Sequence, residues 1–128
     1  MFLIDVRIRC PQSSLTKGEV WKLTEYTCKM SMEEGLEIPF SILILVLSRE
    51  QYENLREPVH VGDESCSCKL YPPTLFIRGD LTSDNMAFKI LKYVRLLIHY
   101  NTYHELNENA AEEWARGHFM NALSYMVE

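Results

Sequence analysis

A chain of 128 residues with 47% hydrophobic and 24% charged side chains matches one globular domain, long enough to bury a core without disulfides or metals. Its formal net charge of −5, from 13 basic and 18 acidic residues, disfavours a nucleic-acid partner, which calls for a basic excess to neutralise phosphates. The longest apolar run, Ile42 to Leu47, falls far below the ~20 residues that cross a bilayer, so no membrane is expected as a partner.

Along the chain, Phe2, Ile4, Val6 and Ile8 alternate with Leu3, Asp5, Arg7 and Arg9, the period-two signature of a strand with one buried face. The charges arrive too early for a secretory leader. The expected location is therefore the cytoplasm, with Cys10, Cys28, Cys66 and Cys68 reduced. Thr16-Lys17-Gly18-Glu19 reads as a capping box. It predicts a helix from Lys17 to Glu34 with Val20, Leu23, Thr27 and Met30 on one stripe and Gly35 as its stop.

A second strand is predicted from Phe40 to Leu47. It is apolar on both faces, which argues for a central strand covered on each side. Ser48-Arg49-Glu50-Gln51 repeats the capping-box pattern and starts a short helix ended by Pro58. Val59 to Val61 and Cys66 to Tyr71 then flank a Gly62-Asp63-Glu64-Ser65 turn, and Thr74 to Arg78 forms one more strand. Ser83 is expected to cap a helix carrying Met86, Ile90, Leu91, Val94, Leu97 and Ile98. After a polar connection, Ala111, Trp114, Ala115, His118, Phe119, Ala122 and Met126 recur at helical spacing. The predicted order is β-α-β-α-β-β-β-α-α. It describes a single α+β domain over residues 1–128, with a mixed or antiparallel sheet of about five strands and two C-terminal helices.

The opening strand and capped helix resemble the first βα unit of dimeric ferredoxin-like α+β barrel proteins such as muconolactone isomerases. The likeness is confined to residues 1–35. The three closely spaced strands and the terminal helix pair depart from that family's repeat, so no residue role carries over.

The candidate sites each have a structural reading beside the chemical one. Cys66 and Cys68 share one face of a strand and, with His60 across the hairpin, could converge on a metal. Structural zinc favours thiolate pairs two to four residues apart, however, so the reading preferred here is a buried strand face with no metal and no cofactor. His99, His104 and His118 fall at helix ends or on a core edge and are read as structural. Lys89, Lys92 and Arg95 are read as a solvated stripe, and Glu108, Glu112 and Glu113 as helix-start electrostatics. Arg78-Gly79-Asp80 is read as turn chemistry.

With no catalytic group assigned, the preferred function is a non-catalytic protein-binding or regulatory module acting through protein–protein contact. The apolar stripe of Trp114, Phe119 and Met126 is its expected interface, closing a homodimer. The competing reading is a small-molecule binder or small enzyme with a pocket between sheet and helices lined by Tyr71, His60 and Trp21.

Overall fold

Residues 3–57 and 61–128 are described by a computed structural model. Its elements run β1 (Leu3–Ile8), α1 (Lys17–Glu33), β2 (Ser41–Leu47), α2 (Arg49–Glu53), β3 (Val61–Gly62), β4 (Cys66–Lys69), β5 (Thr74–Arg78), α3 (Ser83–Tyr103) and α4 (Glu108–Met126). This is the predicted α+β order. The five strands form one mixed sheet in the order β1-β2-β5-β4-β3. β1, β2 and β5 run parallel, and β4 and β3 add antiparallel at β5's side.

Local chemistry sets the helix starts. The Thr16 hydroxyl accepts from the Glu19 amide at 3.1 Å while the Glu19 carboxylate accepts from the Thr16 amide at 2.9 Å, and Ser48 and Gln51 repeat the exchange at α2. Gly35, at φ 88°, follows the Glu34 cap in the left-handed region where glycine meets no Cβ penalty. The third helix is capped one residue earlier than expected, by Thr82. It continues into the polar connection predicted for Asn101 to Asn107 and ends at Tyr103, after which His104 adopts the left-handed conformation.

Period two divides the sheet. Val6, Ile42, Ile44, Val46, Leu75, Ile77, Cys66 and Cys68 point to one side, and α1 and α3 cover them to form the main core. On the other side the cover is partial. Tyr52 of α2 packs with Leu47 and Phe76, flanked by Leu55, while Leu43 and Leu45 are half-buried and Leu3, Asp5 and Arg7 are exposed. β2, predicted from its composition to be central, is an interior strand, but the middle of the sheet is β5, and β2 is sealed on one face only. A short helix of five residues is too small to roof a second face.

The backbone of α4 does not approach the sheet; the helix lies across α1 and α3 as an outer layer. Three small residues, Ala111, Ala115 and Ala122, are buried along its inner stripe and allow the helix axes to approach closely.

Candidate functional site

Two groupings of side chains gather chemistry from distant parts of the chain. The first is a cleft at the end of the sheet where β2 begins. Pro39, Phe40 and Ser41 form one wall, Leu70, Tyr71 and Pro73 of the β4–β5 turn another, and Tyr100, Asn101 and His104 of α3 the third. The cleft has a volume of about 210 Å³.

Its walls are held in place by hydrogen bonds. The Tyr71 hydroxyl donates to that of Tyr100 at 3.1 Å, and the two rings meet edge-on at 6.0 Å. That hydrogen bond raises the Tyr71 phenol above its ordinary value, with burial adding to it. Asn101 Nδ2 donates to the Glu37 carbonyl at 2.9 Å and the Glu37 amide donates to Thr102 Oγ1 at 2.9 Å, fastening the chain before β2 to α3. Leu43 N donates to the Pro73 carbonyl at 3.1 Å. The outermost rings are left in solvent: Phe40 is 76% exposed and Tyr71 66%.

The second grouping lies under α4. Glu34 is its hub. One carboxylate oxygen accepts from Arg95 Nη2 at 2.8 Å, and the other accepts from Trp114 Nε1 at 2.9 Å. Arg95 also donates to Ser31 Oγ at 2.8 Å and lies 4.8 Å from the Trp114 ring centroid. Trp114 stacks on His118 at 4.1 Å, and His118 Nδ1 shares a 2.7 Å hydrogen bond with the Tyr26 hydroxyl. The Tyr125 hydroxyl donates to Glu25, and Lys29 donates to that hydroxyl at 3.2 Å.

Burial works to raise Glu34, but the hydrogen bonds from Trp114 and Arg95 and the Arg95 charge outweigh it and hold the carboxyl below its usual range. Burial pushes the His118 imidazole down, and the Glu34 charge opposes that shift. This network joins α1, α3 and α4 by satisfied hydrogen bonds and stacked rings. Its chemistry is that of a fastening.

The expected interface residues lie within this fastening or beside it. Trp114, Phe119 and Met126 are half-buried against the core of their own chain, with the Phe119 ring edge-on to Phe88 at 6.0 Å. Of the expected pocket, Tyr71 lines the cleft. Trp21 sits apart on α1 and is 37% exposed, and His60 lies outside the described residues.

Cys66 and Cys68 are fully buried beneath α3, and burial pushes both thiols up. Cys28 is likewise buried, its thiol pushed up to about 12 by desolvation and then by Glu25. Among the described residues no group of three or more His, Cys, Asp or Glu side chains is placed to hold a metal ion.

The stripe read as solvated is paired instead. Lys89 meets Asp63 at 2.5 Å, Lys92 meets Glu112 at 3.1 Å, and Arg95 meets Glu34. The acidic start of α4 thus answers a base on α3. Arg78 and Asp80 form a bidentate pair at 2.9 and 2.8 Å around Gly79. A Cβ on Gly79 would stand 2.8 Å from Val46 Cγ1, so close packing accounts for the tripeptide.

Sequence reasoning missed Phe40 and Tyr100 as site residues. The available signal was an aromatic beside proline at a strand boundary, Pro39-Phe40 and Tyr71-Pro72-Pro73. No protein-family model, no curated protein and no solved structure matches this chain.

Proposed function

We propose that this domain is a small non-catalytic protein-binding or regulatory module that works through protein–protein contact, self-association included, in the cytoplasm. The observation that carries the reading is the gathering of exposed aromatic rings and prolines at one braced end of the sheet. Phe40 stands in solvent just after backbone tied to α3 through Glu37, and Tyr71 stands in solvent with its hydroxyl bonded to Tyr100 of α3. Aromatic side chains are enriched at interfaces and among their energetic hot spots, because a large ring contacts much surface while few torsions are frozen.

At this cleft, size favours a partner's side chain over a whole small molecule. Pockets for such ligands run to ~300–1,000 Å³, and the cleft is about 210 Å³, room for one or two side chains of a partner. The Tyr100 hydroxyl, which accepts from Tyr71 and keeps its own proton, and the second proton of the Asn101 amide suit the backbone carbonyls of an extended, proline-containing segment, whose pyrrolidine rings stack on aromatic walls. Four unpaired, buried thiols support a reducing compartment.

A displayed library of proline-containing peptides, selected on the folded domain, provides the test. Selected peptides should bind Phe40→Ala and Tyr71→Ala at least ~10-fold more weakly by fluorescence anisotropy, and Trp21→Ala should match the wild type. Failure to select any peptide, or selection of peptides indifferent to both cleft substitutions, would reject the reading.

A further inference from the structure

We infer that the free edge of β1 is an antiparallel pairing site for a second copy of this chain, with Val6 on the twofold axis. The inference concerns a different surface from the cleft and does not depend on it.

Among the described residues, β1 is bonded on one side only. Leu3 N donates to the Phe40 carbonyl and Arg9 N to the Val46 carbonyl, each at 2.8 Å. Successive residues of a strand turn their amides and carbonyls to alternate sides. Leu3, Asp5, Arg7 and Arg9 therefore serve the parallel ladder with β2, and Ile4, Val6 and Ile8 direct theirs outward. β1 is the end strand of the sheet, and no other strand among the described residues pairs with it. At the opposite edge β3 spans two described residues, against six in β1.

The side chains choose one register. With Val6 opposite Val6 of the second copy, Ile4 falls opposite Ile8, and these outward-facing residues exchange about six backbone hydrogen bonds. On the helix-covered side the half-buried Ile4 and Ile8 then lie together and continue each copy's core. On the open side Asp5 falls opposite Arg7 and Arg7 opposite Asp5, in the closely spaced, non-hydrogen-bonded positions where side chains interact most.

Sliding by one step toward either end sets Asp5 against Asp5, or Arg7 against Arg7. Sliding further shortens the ladder. Asp5 and Arg7 already attract within the strand, at 3.0 Å and with both side chains about half exposed (53% and 55%), so the dimer exchanges two internal ion pairs, one in each copy, for two intermolecular ones. The charges set the register, while the backbone hydrogen bonds and the Ile4 and Ile8 contacts supply the attraction. Charges on an edge strand ordinarily deter indiscriminate pairing. Here the same two charges favour one partner, the self-complementary copy that a closed twofold contact requires.

A six-residue strand buries less than a standard interface, so the dimer belongs with weak assemblies, with a Kd on the order of 10–100 μM. Sedimentation equilibrium on the full chain tests it with charge reversal at exposed positions. Asp5→Arg places like charges opposite one another in its own dimer, and so does Arg7→Asp. Each should weaken self-association by about tenfold or more. An equimolar mixture of the two restores both opposite-charge pairs and should dimerise as the wild type does.

Amide exchange supplies a reading that needs no variant. Protection of Ile4, Val6 and Ile8 should rise with protein concentration, while Asp5 and Arg7 amides, already bonded to β2, should not change. The inference is overturned by a wild-type chain that stays monomeric at ~300 μM, by single reversals that dimerise unimpaired, or by a mixture that does not dimerise. A concentration-independent exchange pattern across β1 overturns it equally, and leaves the edge to a strand from a different protein.

Discussion

Neighbouring residues on β2 should respond very differently to the same truncation. Ile44 is fully buried on the side covered by α1 and α3, whereas Leu45 is half-buried on the side that α2 only partly shelters. Ile44→Ala removes three methyl or methylene groups from a closed core, at about 0.8 kcal/mol each for transfer alone. The surrounding side chains are pinned by the sheet and two helices, so a cavity adds to that, and the total should be about 3–4 kcal/mol. Leu45→Ala removes as many groups, but roughly half of that surface is already wet and water fills the gap. Its cost should be about 1 kcal/mol. Urea unfolding followed by circular dichroism, with midpoints compared at constant m-value, measures both. Equal losses would mean that the second face of the sheet is as well covered as the first. A loss below about 1 kcal/mol for Ile44→Ala would remove β2 from the core.

Glu34→Ala leaves the nearly buried Arg95 and the Trp114 indole without their shared acceptor. Because Glu34 is itself partly exposed (39%), the loss should be about 1–2 kcal/mol, and near-ultraviolet circular dichroism should report a loosened Trp114. The His118 imidazole is held below its ordinary value, so the unfolded chain takes up that proton first. Stability should be complete above pH ~6.5 and fall as pH drops through the folded value. In His118→Gln that part of the pH dependence should vanish from thermal melts, and an unchanged slope would show that another group titrates there. Cys66 and Cys68 should react with a thiol reagent only at the rate of opening, since burial disfavours both thiolates. Fast labelling of native protein would place β4 outside the core.

Much of the architecture was legible because it rests on local rules. Period two in Leu3–Ile8, the reciprocal caps at Thr16 and Ser48, and the helical recurrence after Asn107 involve neighbours within four residues, so each could be read from the chain alone. Sheet order could not. Placing β5 between β2 and β4 depends on strands far apart in sequence finding a common register, and many orders satisfy the same hydrophobic pattern. The extent of cover over Leu45 was hidden for the same reason: composition shows that a face is apolar, but not what lies on it.

The helix stripe of Trp114, Phe119 and Met126 made a similar demand. An apolar stripe must be covered, yet only packing decides whether a second copy or the chain's own α1 and α3 covers it. Lys89, Lys92 and Arg95 looked solvated because their carboxylate partners come from Asp63, Glu112 and Glu34, each at least twenty residues away. The cleft was least visible of all, drawing its walls from residues 39–41, 70–73 and 97–104. Sequence alone determined which segments are helix or strand and which faces are apolar. Tertiary structure decided what meets what, because the free energy of burial depends on area excluded from water and is indifferent to the sequence distance between the surfaces that exclude it.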